Sequence, residues 1–142
     1  MEPMTVRRTL RTLCALFLAL AMTSSAMSPL EMRLDRHMKT WQKRLGLESW
    51  NLAVQVVRQS SLDKHTWGNA EWDPATRSGV ISVLDPRDYN LKGRDLNLDM
   101  ECTIVHELVH IQVSPLDAQD ETTREEVVNK IMTALLNRPC PN

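Results

Sequence analysis

Two histidines four residues apart, with a glutamate between them, are the residues of this sequence best suited to chemistry. Residues 106–110 read His-Glu-Leu-Val-His, an HExxH motif. Positions i and i+4 of a helix lie on one face, so His106 and His110 can both reach one Zn²⁺ at about 2.0–2.1 Å. Glu107 flanks that face, where a carboxylate can act as general base toward a metal-activated water. The motif predicts a catalytic zinc centre with one Zn²⁺ per chain.

The neighbours of the motif indicate that it lies in a buried helix. Ile104 and Val105 precede it, and Leu108 and Val109 fill its two middle positions. A charged Glu107 inside so apolar a helix needs a partner. This argues against the alternative, an accidental glutamate between two surface histidines.

The third metal ligand is predicted from helical phase. Glu125 follows His110 by 15 residues and shares a largely apolar face with Val128, whereas the adjacent Glu126 falls on a polar face. We therefore expect Glu125 to be the ligand, although acidic residues are also favoured at helix starts without any function. Asn129, one turn further on, can accept a hydrogen bond from a zinc-bound histidine and orient its ring.

These residues resemble the gluzincin branch of the zinc metallopeptidases, which carry HExxH on one helix and a glutamate on a following helix. The matching positions are His106, Glu107, His110, Glu125 and Asn129. The resemblance implies a minimal zincin-like fold. It also implies that a strand before the active-site helix edges the cleft and pairs with an extended substrate. By order, the strand is the 66–72 segment or the 80–84 segment, and the sequence leaves this open.

At 142 residues, this sequence departs from bigger gluzincins, and we expect no equivalent of the large C-terminal domain that supplies their transition-state histidine. The sequence offers His65, Tyr89 and Arg124 as donors to a developing oxyanion, without deciding among them. Trp67 and Trp72 both lie in the strand predicted over 66–72. They either line a substrate groove or supply core bulk.

The elements that must position these residues predict an α+β fold. A capping box at Ser28 and Glu31 starts a helix over 28–45. The expected order continues with a small three-stranded antiparallel or mixed sheet, an active-site helix and a C-terminal helix. The strands are expected at 50–58, 66–72 and 80–84, a polar connector at 89–97, and the helices at 99–113 and from 122 or 123 to 137.

Composition limits the classes of function. The chain has 142 residues with 17 Lys and Arg against 18 Asp and Glu, a net charge of −1. No bulk positive field favours nucleic acid, so we expect none as a partner. The aromatic content is low, with four Trp, one Tyr and one Phe. These numbers are typical of one small domain, which we place at residues 27–142.

The first 26 residues have the pattern of a signal peptide. Three arginines precede an apolar run over 13–22, and Ser24 and Ala26 occupy the small-residue positions before a cleavage site. Ten apolar residues are too short to span a bilayer as a helix. The sequence thus predicts a secreted or periplasmic protein with no stable membrane span in its mature chain. The alternative is a cytoplasmic protein whose translation starts at Met27.

Cleavage after Ala26 leaves two cysteines, Cys102 and Cys140, and an even pair in an exported protein is a disulfide candidate. Suppose that His110 and Glu125 meet at one zinc and that their helices run antiparallel. Cys102 then lies about 12 Å back along the first helix, and the end of the second lies about 16 Å forward. We predict a Cys102–Cys140 disulfide, with two free buried thiols as the alternative.

Together these features predict a zinc-dependent metallopeptidase that hydrolyses peptide bonds, with Glu107 as general base and His106, His110 and Glu125 as metal ligands. Its partner is a peptide or protein substrate. One alternative is a non-catalytic, zinc-stabilised binding or regulatory module on the same fold. The other is a purely structural domain. Glu107 separates the first two, because a non-catalytic zinc site has no need of it.

Overall fold

The computed structural model describes residues 26–115 and 120–141, and the elements over these ranges confirm the α+β class. The predicted signal peptide falls outside the described residues, except for Ala26. Three helices and three strands follow in the order α1 (Pro29–Arg44), β1 (Asn51–Val57), β2 (Gly68–Asp73), β3 (Ser78–Leu84), α2 (Gly93–Val113) and α3 (Glu121–Leu136). Within the described ranges, no helix has the length and apolar character needed to cross a membrane.

The N-terminal helix α1 begins with the predicted capping box. The hydroxyl of Ser28 accepts a hydrogen bond from the backbone N–H of Glu31, and the Glu31 carboxylate accepts one from the backbone N–H of Ser28. These two bonds satisfy donors that a helix start otherwise leaves unpaired. The inner stripe of α1 is buried and consists of Leu34, Met38 and Trp41.

The sheet is mixed, with the strand order β1-β3-β2. β1 runs parallel to β3, and β2 pairs with β3 as an antiparallel hairpin. Val54, Ile81 and Ala70 lie side by side in the register and share the inner face. β3 has a strand on both sides, so of the two segments considered for the cleft edge only β2 is an edge strand. Among the described residues, β2 pairs with β3 alone.

Helix α2 is the centre of the fold, and α1, α3, β2 and β3 all pack against it. Ten of its 21 residues are buried. A helix held on several sides can keep its side chains in fixed positions, because each buried residue packs against several neighbours. The HExxH motif lies in the C-terminal half of this helix.

The start of α2 differs from the sequence expectation. The polar connector predicted over 89–97 is wrong from Gly93 onward, because the helix begins there and not at Asp99. Leu96 lies one turn before the buried Met100 and packs against the core, so the apolar face continues backward through a polar-looking stretch. Tyr89, also assigned to the connector, is a core residue.

The close approach of β2 to α2 depends on a glycine. A Cβ atom built on Gly68 would clash with the methyl group of Thr103 on α2 and with the carbonyl oxygen of Ser82 on β3. The absence of a side chain therefore lets the start of β2 lie directly against the helix that carries the motif.

The C-terminal segment is fastened to α2. Cys102 and Cys140 form the predicted disulfide, with their Cα atoms 6.1 Å apart. Next to it, a guanidinium nitrogen of Arg138 lies 2.9 Å from a carboxylate oxygen of Glu101. The other oxygen of Glu101 accepts a 2.8 Å hydrogen bond from the indole N–H of Trp41. The segment is thus linked to both α1 and α2.

Candidate metal centre

Helices α2 and α3 bring two imidazoles and one carboxylate to a single point. The Nε2 atoms of His106 and His110 are 3.0 Å apart. Nε2 of His106 lies 3.3 Å from Oε2 of Glu125, and Nε2 of His110 lies 3.0 Å from Oε1. The predicted residues thus form one compact group whose potential ligand atoms all lie within 4.8 Å of one another.

The size of this group fits a bound metal ion. A tetrahedral ion with bonds of about 2.0–2.1 Å holds its ligand atoms about 3.3 Å apart. The separations of 3.0, 3.0 and 3.3 Å are close to this spacing, with the two imidazoles facing different oxygens of the Glu125 carboxylate. Two imidazoles and a carboxylate are also donors that divalent transition metals accept. The residues could therefore hold one metal ion.

The environment of His106 favours the neutral ring that metal binding requires. Burial, followed by the neighbouring His110, holds the pKa of His106 below its usual range. The carboxylate of Glu125 and a hydrogen bond with the Asn129 side chain oppose this shift in part. Asn129 thus lies beside His106, as helical phase predicts, and a hydrogen bond accepted from the ring would orient it.

Glu107 is buried beside the ligand group. Its exposed fraction is 8%, and it lies in the wall of a cavity that His106 and Glu125 also line. Burial, together with the negative charge of Glu125, raises the pKa of Glu107 from 4.5 to about 7. A carboxyl group with such a pKa can both accept and release a proton near neutral pH.

The cavity in front of the ligand group has a volume of about 290 Å³. Its walls come from α2, α3, the segment 65–68 that leads into β2, and the C-terminal Cys140. Because β2 and α3 flank α2, the cavity is a cleft that leads to Glu107 and to His106 and Glu125 of the ligand group.

The three oxyanion candidates fall in different places. His65 lines the cavity. Tyr89 has an exposed fraction of 5% and its hydroxyl lies near Asp99 in the interior. Arg124 is not part of the cavity wall and pairs with Glu121 at 3.0 Å. Of the three, only His65 is brought to the site.

His65 also has an unusual backbone conformation, with a φ of 65°. Residues other than glycine seldom adopt this left-handed region, and those that do cluster at functional sites.

Each of the two tryptophans fits a different one of the two interpretations. Trp67 lines the cavity with an exposed fraction of 39%, which favours a role in a groove. Trp72 packs against the core and supplies bulk there.

Two further residues of α2, Asp99 and Thr103, line the cavity and are not among the predicted site residues. A signal for them exists in the sequence. Asp99, Thr103, His106 and His110 follow one another at intervals of four, three and four, which places them on one face of a helix. A polar stripe along an otherwise apolar helix indicates a lined cavity.

No protein-family model, curated protein or solved structure matches this chain. The likeness to gluzincins therefore remains a prediction from the motif residues.

Proposed function

We propose that this chain is a zinc-dependent metallopeptidase that hydrolyses peptide bonds in a peptide or protein substrate. The observation that carries the proposal is the convergence of His106, His110 and Glu125 beside the buried carboxyl group of Glu107. Two histidines and a glutamate are a ligand set of catalytic zinc sites, which also keep one position open. The open cleft in front of the group supports a reaction with an external substrate.

Zinc held by these three residues would supply a Lewis acid that activates water and polarises the scissile carbonyl. Glu107 acts as general base and takes a proton from the attacking water. It then passes this proton to the amine that leaves. The hydrogen bond that the ring of His106 donates to the Asn129 side chain holds the ring in its orientation.

The segment 65–68 and the edge strand β2 are proposed to bind the substrate backbone. An edge strand offers N–H and C=O groups that can pair with an extended peptide. Gly68 keeps this edge close to α2, and Trp67 offers an aromatic face in the same cleft. His65 lines the cavity wall, and we propose that it donates a hydrogen bond to the carbonyl oxygen as negative charge develops on it.

We further propose that the protein is secreted or periplasmic. Disulfides persist in oxidising compartments and are rare in the cytosol. The Cys102–Cys140 bond, together with the signal-peptide pattern over residues 1–26, supports export.

The test combines metal quantification with cleavage of an unbiased peptide library. We expect one zinc per chain in the wild type and in Glu107→Gln, and loss of zinc in His106→Ala. Peptide cleavage should fall by about 10²–10⁴-fold in Glu107→Gln, because the base is removed while the ligands remain. Full proteolytic activity of zinc-loaded Glu107→Gln would refute the mechanism. Zinc binding without cleavage by the wild type would favour the non-catalytic module.

A further inference from the structure

The C-terminal segment that follows α3 contributes to the cavity in front of the metal ligands. Asn137 adopts a left-handed conformation with a φ of 51° and ends the helix. The chain then reaches α2, where Arg138 pairs with Glu101 and Cys140 is bonded to Cys102. Two successive residues of α2 thus hold a short segment, residues 137–141, which we call the C-terminal strap.

The disulfide is both a fastening of the strap and part of the cavity wall. Cys102 and Cys140 line the same cavity as His106 and Glu107. Cys102 precedes His106 by four residues, which is one helical turn or about 6 Å along the axis. Met132 of α3 completes this side of the wall. The atoms on this side are therefore mainly sulfur and carbon.

We propose that the C-terminal strap, held by the Cys102–Cys140 disulfide, limits the size of the substrate side chain that enters the cavity. This inference rests on the proposed peptidase function and adds a specificity-determining element to it. The strap and Met132 close the side of the cavity that lies one turn from His106. Their sulfur and methylene groups make contact with an apolar side chain favourable, and their fixed position excludes a bulky one.

The strap depends on the disulfide for its position. Without the covalent bond, the polar contacts that the structure describes for the strap are the backbone hydrogen bond from Asn137 to Thr133 at the end of α3 and the Arg138–Glu101 pair, which is partly exposed to solvent. Such pairs stabilise a segment only weakly. Loss of the disulfide should therefore release the strap and widen the cavity, while His106, His110 and Glu125 keep their places on α2 and α3.

The first experiment compares the wild type with the full-length double variant Cys102→Ala/Cys140→Ala on matched peptides. These peptides differ only in one residue beside the scissile bond, which is Ala, Leu, Lys or Trp. We expect the ratio of kcat/KM for Trp over Ala to rise at least tenfold in the variant, with one zinc still bound per chain. An unchanged ratio, or a wild-type preference for Lys over Leu, would overturn the inference.

A matched control distinguishes the effect of an altered cavity wall from the effect of a general loss of stability. Leu34→Ala removes a buried side chain of α1, which does not line the cavity, so it destabilises the fold by a different route. We expect it to lower all kcat/KM values by a similar factor and to leave the Trp/Ala ratio unchanged.

Two variants that keep the disulfide cover the case in which the double alanine variant fails to fold. Met132→Ala should raise the Trp/Ala ratio, because it opens the same wall, and Met132→Phe should lower it. A ratio that stays constant across both variants contradicts the inference.

Binding separates this inference from the proposed function. The affinities of alanine, leucine and tryptophan hydroxamates for the zinc-loaded proteins need no turnover. Suppose that the wild type cleaves no peptide but that these affinities shift among the variants as stated. This result would refute the peptidase function and support the inference about the cavity wall. If the wild type cleaves peptides and the affinities do not shift among the variants, only the inference about the cavity wall is refuted. A chain that binds no zinc refutes both.

Discussion

Nε2 of His110 lies 3.0 Å from Oε1 of Glu125, although 15 residues separate the two along the chain. The contact joins the C-terminal half of α2 to the first turns of α3, and the Nε2 atom of His106 faces the same carboxylate. A ring nitrogen can donate a proton to a carboxylate or donate its lone pair to a metal ion. If both rings donated to the carboxylate, two N–H groups would face each other across 3.0 Å, whereas a metal ion accepts a lone pair from each of the three groups.

Replacement of Glu125 tests that interpretation directly. Glu125→Gln keeps the size of the side chain but removes the anionic ligand, so we expect zinc affinity to fall by at least tenfold. Glu126→Gln is the matched control, because Glu126 is exposed and faces Lys130 on the outside of α3. Titration with a competing chelator measures both affinities. Equal losses in the two variants would show that Glu125 is not a ligand.

Zinc should stabilise the folded chain by mass action. At a free zinc concentration of about 1,000 times the dissociation constant, the free energy of unfolding should rise by about 4 kcal/mol. Thermal unfolding with zinc, with Mg²⁺ and with EDTA measures this effect. Mg²⁺ should give no comparable rise, because it prefers oxygen ligands to imidazoles. His106→Ala should lose the response to zinc, and a wild type with no response contradicts the metal centre.

Glu107 should make the metal-free protein less stable as pH rises. Its folded-state pKa of about 7 lies above its ordinary value of 4.5. The folded state therefore binds the proton more tightly, and stability falls as pH increases from about 4.5 to about 7. The loss is on the order of 3 kcal/mol. Glu107→Gln stays neutral and should exceed the wild type by about that amount at pH 8 in EDTA, with little difference at pH 4.5.

Urea unfolding at the two pH values provides this comparison. Glu126→Gln again serves as the control and should track the wild type at both, because its side chain is exposed. A wild type and Glu107→Gln of equal stability at pH 8 would mean that burial does not disfavour the charged carboxylate.

Gly68→Ala should destabilise the fold by about 1–3 kcal/mol, because the new methyl group overpacks the contact between β2 and α2. Thr103→Ser removes the methyl group that Gly68→Ala would meet. The double variant should therefore recover part of the loss, although the clash with the Ser82 carbonyl remains. Urea unfolding of the four proteins gives the coupling energy. Strict additivity would argue against the close approach.

His65→Gly should lower kcat by about 10²-fold if the imidazole stabilises the developing oxyanion. Glycine adopts the φ of 65° without strain, so the change removes the side chain and not the backbone conformation. KM and zinc content should change little. The control is His37→Ala, which alters a histidine outside the cavity and should leave kcat unchanged. Alanine is used there because His37 lies within a helix, where glycine would be destabilising. Unchanged kcat in His65→Gly would exclude the assigned role.

Local features of the site could be predicted from the sequence because they depend on helical geometry alone. The i, i+4 spacing of His106 and His110 determines a shared face wherever the helix lies. Helical phase selected Glu125 over Glu126 for the same reason, and the structure brings Glu125 to the histidines. Extrapolation along two antiparallel helices also predicted the disulfide between Cys102 and Cys140.

The remaining features depend on contacts between segments that are distant in sequence. The mixed sheet places β3 in the centre and leaves β2 at the edge, which alternation within each strand cannot reveal. The sequence predicts a connector at Leu96, because the apolar partner of this residue is the core and not its sequence neighbours.

The sequence by itself thus determined which side chains belong together on α2 and on α3. The tertiary structure decided how the two helices face each other and which segments wall the cleft. It brought His65 to the cavity, buried Tyr89 in the core and placed the strap over Cys102. The physical reason is that helix phase follows from the local backbone, whereas the packing of one element against another follows from the burial of surface contributed by the whole chain.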